Sequence, residues 1–216
     1  ANAVDNEFAQ YQNEISLEQA LDSPPIATPL HLYDACPITD GASAVLLVSE
    51  EYARDNGIEA PVSITGSGQG GDHLALQDRQ QMAQTPATEA AAAEAYADAE
   101  ITADDIDFAE VHDCFTIAEV LAIEGLGLFE PGAGIAAARE DKTTADGEVP
   151  INLSGGLKAK GHPVGATGGS QIAEITRLLR GDHPNSDAVE DGTVGVAHNA
   201  GGTVASAVVH VLEVDQ

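Results

Sequence analysis

Continuous or alternating apolar runs give way along this chain to apolar positions three and four apart, and that change of period predicts strands alternating with helices. Ser16-Leu-Glu-Gln opens a helical patch to Leu21, followed by a proline-bearing connection from Ser23 to Pro29. Gly41-Ala-Ser-Ala-Val-Leu-Leu-Val48 reads as a buried strand, and Ser49 to Asn56 as a helix stopped by Gly57. A β-rich run at Pro61–Thr65 leads into a glycine turn and then a helical region, Thr88–Ala99. Phe108–Val111 forms a short strand and Thr116–Gly125 a helix, with a mobile loop from Glu130 to Gly147. Further strands fall at Pro150–Leu153, Gly192–Ala197 and Val204–Val214. The last helix, Gly169–Arg180, is marked by Ile172, Ile175, Leu178 and Leu179. The pattern predicts a mixed α/β domain whose sites lie at strand ends.

Two glycine-rich stretches interrupt it. Asn152-Leu-Ser-Gly-Gly-Leu-Lys-Ala-Lys-Gly-His-Pro-Val-Gly-Ala-Thr-Gly168 delivers His162 to the start of a helix, where free N–H groups favour negative charge. A histidine there is a candidate base or donor near a developing anion. Gly156 and Gly161 have Walker A spacing, but His162 and Pro163 occupy the Lys and Ser/Thr positions, which argues against ATP. Gly66-Ser-Gly-Gln-Gly-Gly71 fits a dinucleotide fingerprint yet lacks the helix and second strand that such a site needs.

Composition narrows the classes. The 216 residues are 43% hydrophobic, enough for a sizeable core. No apolar run approaches the ~20 residues of a membrane span. Ala1-Asn-Ala-Val-Asp-Asn-Glu has no signal-peptide character and resembles the interior of a longer polypeptide. Asp and Glu number 36 against 8 Lys and Arg, a formal charge of -28 that opposes nucleic-acid binding. Among a disordered acidic chain, a DNA mimic or calcium binder, and a surface adapted to high salt, the apolar periodicity favours the last. Two of the three lysines, Lys158 and Lys160, flank the glycine loop and suit a phosphate-bearing ligand or plain solvation. Two cysteines, Cys36 and Cys114, make no disulfide framework and suit a reducing cytoplasm.

Three strand ends carry unusual polar residues: His112-Asp-Cys-Phe115, His162, and His198-Asn-Ala-Gly-Gly202. If their strands share a sheet, they converge on one crevice. Zinc ligation by His112, Cys114, His162 and His198 lacks close paired spacing. An inert buried thiol is a second alternative. Thiol acid/base chemistry is favoured, because imidazoles and loop N–H groups stabilise both a thiolate and an oxyanion.

Gly-His-Pro at 161–163, His-Asp-Cys-Phe at 112–115 and His-Asn-Ala-Gly-Gly at 198–202 resemble the thiolases, in particular the sterol-carrier-protein-2-like branch and its archaeal, here haloarchaeal, acetyl-CoA acetyltransferase relatives. The resemblance extends through Pro37-Ile-Thr-Asp-Gly-Ala-Ser-Ala-Val and covers essentially the whole chain. It implies a thiolase-like α/β fold: residues 1–60 the tail of the N-terminal domain, residues 61–216 a C-terminal domain with a mixed five-stranded sheet between helices. It also implies Claisen-type acyl transfer on coenzyme A thioesters, with no further cofactor and no metal. His162 would activate a nucleophilic cysteine and hold the thioester oxygen. His112 replaces the Asn of the commoner Asn-Glu-Ala-Phe motif and would hold an oxyanion-hole water. Cys114 would remove or return the α-proton. His198-Asn-Ala200 stands where Cys-x-Gly is usual, so that role passes to Cys114, with His198 kept as a candidate catalytic residue. The backbone at Ala200 and Gly201 would serve a second oxyanion hole, and Gly161, Lys158 and Lys160 would contact the ligand.

The acylated cysteine of thiolases lies in an N-terminal half that this sequence does not include, and Cys36, on the approach to a strand, reads as a packed thiol. The chain therefore resembles the C-terminal half of a thiolase, either truncated or a split subunit. The implied partners are that N-terminal half, a second copy in a dimer or tetramer, a zinc-ribbon/OB-fold protein and hydroxymethylglutaryl-CoA synthase. The alternative is a non-catalytic acyl-CoA-binding or scaffolding subunit.

Overall fold

The computed structural model describes residues 2–214; the outermost residues of the expected domains, Ala1, Asp215 and Gln216, lie outside them. The first helix, α1 (Leu17–Leu21), starts at a reciprocal cap: Ser16 Oγ accepts from Gln19 N and Gln19 Oε1 from Ser16 N. Two short strands, β1 (Pro25–Ala27) and β2 (Leu30–His31), pair antiparallel, and α2 (Glu50–Asn56) runs from the Ser49 cap to Gly57 at φ 63°.

A four-stranded sheet organises the rest. Its strands are β3 (Val62–Gly71), β4 (Phe108–Glu110), β5 (Val194–Gly201) and β6 (Ser206–Val214), in the order β3-β6-β5-β4. Only the β4–β5 pair is parallel. The expected fifth strand, Pro150–Leu153, reduces to one parallel bridge between Ile151 and Ala109. The reason is local: Asn152 takes φ 53°, which turns the chain out of the ladder after one pairing.

Alternation along the central strands divides the core into two layers. Val209 and Val211 of β6, with Val196 of β5, meet α3 (Pro86–Ala99) and α4 (Thr116–Gly125). Phe108 and Leu212 face the other way, onto Ile175 and Leu178 of α7 (Thr167–Leu179). The sheet therefore lies between helices, as expected, with α7 delivering the glycine loop to the carboxyl ends of β4 and β5.

The expected glycine turn at 66–71 is instead the second half of β3. Gly66, Gly68 and Gly70 point toward Ala95, Ala91 and Ala87 of α3, and a Cβ on any of them would overlap a helix carbonyl oxygen. Glycine at every second strand position and alanine at every fourth helix position let the backbones touch. The dinucleotide fingerprint is thus a packing device. Gly68→Ala should destabilise the fold by about 3 kcal/mol, at the upper end of overpacking costs because the obstacle is backbone. Thermal melting should fall by roughly 6–12 °C; an unchanged melting temperature would contradict this packing.

Two other expectations need correction. The loop from Glu130 to Gly147 contains α5 (Gly134–Arg139), pinned where Glu124 Oε1 accepts from Gly134 N at 2.8 Å and where Ala137 is buried. Gly41–Val48 forms no strand and is not buried: Leu46 and Leu47 are 90% and 68% exposed. Its apolar pattern is strand-like, but no described strand lies beside it to supply ladder hydrogen bonds. No described helix is long and apolar enough to cross a membrane.

Candidate functional site

Three chain segments meet at one end of the sheet, and hydrogen bonds from buried polar side chains lock them together. Asn152 Oδ1 accepts from Val111 N at 2.8 Å, while its Nδ2 donates to Glu119 Oε2 at 3.1 Å. Glu110 accepts from Ser154 N at 2.8 Å and from Ser154 Oγ at 2.5 Å. Burial pushes the Glu110 carboxyl up, with Lys160 opposing. Asp113 Oδ1 accepts from Leu157 N at 2.6 Å, at the start of α6 (Gly156–Ala159). That carboxyl is raised to about 7 by burial first and by the Glu119 charge second. Gln171 of α7 donates to His198 O at 2.9 Å and accepts from Asn199 Nδ2 at 3.0 Å. None of these supports stood out in the sequence, although Asn152-Leu-Ser-Gly-Gly156 was a signal for a positive-φ turn.

On this frame His112 and His162 stand edge-on, ring centroids 4.9 Å apart. His162 Nδ1 lies 2.8 Å from Thr167 Oγ1. The Thr167 hydroxyl gives its proton to Pro163 O at 3.2 Å, so it accepts from His162 Nδ1–H. This arrangement leaves the His162 Nε2 lone pair unprotonated. Burial lowers the His162 pKa. His112 is lowered to about 4, by burial and then by the neighbouring His162 charge, and its Nδ1 has no hydrogen-bond partner among the described residues. Both imidazoles are therefore neutral at neutral pH.

His198 sits behind them, 2% exposed. Its Nδ1 accepts from His112 N at 3.4 Å, so its Nε2 carries the proton and donates to Thr88 Oγ1 at 3.0 Å. Burial, and then His112, hold its pKa near 3. With both nitrogens engaged and the ring enclosed, His198 has the surroundings of a positioning residue.

Cys114 is half-buried, and burial, then the Cys36 and Asp113 charges, raise its pKa, so it is a protonated thiol at neutral pH. Ala200 and Gly201 end β5 opposite Ala207 and Ser206, one buried and one exposed. Gly161, at φ 121°, packs against Thr39, whose hydroxyl accepts from His162 N at 2.7 Å. Lys158 is half-buried in α6. The Lys160 side chain is 8% exposed, with Nζ 3.9 Å from Glu174 Oε1. Both line a pocket shared with Gly161, Ser170 and Arg177. The histidines and cysteine form no group of three or more metal-type ligands among the described residues.

An α-β-α layer with a glycine loop bringing one histidine edge-on to another, two residues before a cysteine, defines a thiolase-like scaffold. Residues 68–214 match the thiolase C-terminal domain-like family, and the chain belongs to it. It is 44% identical over 210 residues to acetyl-CoA acetyltransferase of Methanothermobacter thermautotrophicus, a match covering 97% of this chain and 54% of the relative. It is 36% identical over 204 residues to sterol carrier protein 2 of Oryctolagus cuniculus, covering 93% and 37%. Among solved structures, an Ltp2-ChsH2(DUF35) aldolase matches at TM-score 0.85 and 27% identity, covering all of this chain and 56% of that one. The acetyl-CoA acetyltransferase of Bacillus anthracis shares the fold at TM-score 0.68 and 19% identity, covering 95% and 45%. The chain spans about half the length of the first of these relatives.

Proposed function

We propose that this chain is the acid/base half of an acyl-CoA acyltransferase, acting on coenzyme A thioesters with a second polypeptide segment that supplies the acylatable cysteine. The observation that carries the proposal is the edge-on approach of His162, its Nε2 free, to His112, which stands two residues before the protonated thiol of Cys114. His162 takes the proton of the incoming cysteine as its sulfur attacks the thioester carbon. The departing coenzyme A thiolate takes the Cys114 proton. The Cys114 thiolate left behind then removes the α-proton of a second acyl-CoA, and the resulting carbanion attacks the acyl-cysteine, breaking its C–S bond and expelling the cysteine thiolate, which takes back the proton held by His162. His112 donates to, or orders a water against, the oxyanion that develops. His198 fixes the backbone of His112. The N–H groups near Ala200 and Gly201 line the second oxyanion site, and Lys158 is the more open of the two loop lysines for a phosphate.

Two features support a missing complement. Homologues are about twice as long, and the apolar segment 44–48 is exposed. The proposed division is residues 1–60 with that complement and 61–216 as the C-terminal domain. A partner of the DUF35 kind is compatible with the solved aldolase complex. The test is reconstitution. The 216-residue chain alone should show no thiolysis of acetoacetyl-CoA, and adding the cysteine-bearing half should restore it. Turnover by the chain alone, abolished by Cys36→Ser, would overturn the proposal. Acyl-CoA binding without turnover by the reconstituted pair would favour the non-catalytic alternative.

A further inference from the structure

The site contains a second thiol that the chemistry above leaves unused. Cys36 lies in the segment after β2, far from Cys114 in sequence, yet the two backbones pair. Ala35 and Phe115 form an antiparallel bridge, and Cys36 N donates to Cys114 O at 2.9 Å. Stepping once along that register sets Cys36 directly opposite Cys114. One of the two hydrogen bonds of an antiparallel pair joins them; in such pairs Cα atoms stand about 5.5 Å apart, inside the ~4.4–6.8 Å that a disulfide spans. Facing residues also project their side chains on the same face of the ladder. Both thiols are free and half-buried, so a small oxidant can approach them. They are the only cysteines of the chain.

We infer that Cys36 and Cys114 form a cross-strand dithiol that closes to a disulfide in the presence of a small-molecule disulfide, withdrawing the acid/base thiol from the site. This inference rests on the acyl-transfer reading only for its effect on activity. The exchange balances as follows. The Cys36 thiol loses its proton and attacks one sulfur of the small disulfide, whose other sulfur leaves as a thiolate. The Cys114 sulfur, also deprotonated, then attacks Cys36 in the mixed disulfide and expels the second small thiolate. Two protein thiols are oxidised, one small disulfide is reduced to two thiols, and the two protons released reprotonate them. Burial raises both thiols, so the attack can begin from either sulfur and the product is the same.

The test equilibrates the 216-residue chain in molar KCl with oxidised and reduced glutathione, then alkylates and digests it for mass spectrometry. The expected product is an intact mass lowered by the two thiol hydrogens and a single cross-linked peptide joining Cys36 to Cys114, reversed by dithiothreitol. Independent glutathione adducts on each cysteine, with no cross-link, would overturn the inference. In the reconstituted pair, oxidation should lower α-proton exchange about 10²-fold or more, the loss of a general acid/base. Cys36→Ser should keep full exchange in both redox states. If oxidised Cys36→Ser loses activity as the wild type does, the regulatory role fails. A cross-link that forms while Cys114→Ala retains exchange leaves the dithiol standing and sinks the acyl-transfer reading instead.

Discussion

Cys114→Ala, in the chain reconstituted with its cysteine-bearing complement, is expected to abolish deuterium exchange at the α-carbon of acetyl-CoA while acylation of the partner cysteine remains measurable. His162→Ala should do the reverse, slowing acylation itself. Each loss should be about 10²- to 10⁴-fold, the usual cost of removing a general acid or base. The asymmetry follows from protonation. Cys114 is held as a thiol by burial and by the Cys36 and Asp113 charges; coenzyme A can depart as a thiolate without its proton, since a thiol ionises at pH ~8.5, whereas the α-proton has no other base once Cys114 is removed. His162 is held neutral with Nε2 free, so its first act is to take a proton. Circular dichroism on both variants separates chemistry from folding. Near-native exchange by Cys114→Ala would refute the assignment. The next candidate would then be His112, whose Nδ1 has no described partner, because His198 has both ring nitrogens engaged.

Lowering KCl from molar to tens of millimolar should unfold the chain. The only acidic side chains buried among the described residues are Glu110, Asp113 and Glu174, so the negative charge lies largely on the surface. Glu174 is internally matched: although burial raises it, the His183 hydrogen bond and the Lys160, His183 and Arg177 charges bring its pKa down. No comparable set of cations offsets the surface carboxylates, since the formal charge is -28. At ~1 M salt the screening length is about 3 Å, and at ~0.01 M about 30 Å, longer than the spacing between neighbouring surface carboxylates. Self-repulsion thus grows as salt is withdrawn. A far-UV circular dichroism signal and melting temperature indifferent to KCl over that range would refute the expectation.

The sequence disclosed elements where local chemistry decides structure. Ser16 and Ser49 cap α1 and α2, Gly57 ends α2, and the apolar spacing of Ile172 to Leu179 marks α7. It misled where a distant element decides. The Gly66–Gly71 run looks like a turn until α3 is laid on it, although alanines at 87, 91 and 95 matched to glycines at 70, 68 and 66 would have revealed a close-packed helix and strand. Gly41–Val48 has the composition of a buried strand, but a strand needs a neighbour, which composition does not report. At the site, the motifs drew attention to His112, Cys114 and His162, and the structure brings the two histidines together. The enclosure of His198 and Lys160, and the face-to-face setting of Cys36 and Cys114, depend on pairings between residues some eighty positions apart or on burial against a single helix residue.

The alternation at His112-Asp113-Cys114 has a use for protein engineering. Val111 and Asp113 turn inward, and Asp113 is fastened to Leu157 N, whereas the residues on either side of it are only partly covered. The anchor and the two working positions therefore occupy separate places on one short stretch of chain. A library randomised at 112 and 114, with 113 held constant, would vary the chemistry presented to a substrate while the scaffold beneath it stays fixed. The same library with 113 included would lose, in most members, the acceptor that holds Leu157 N.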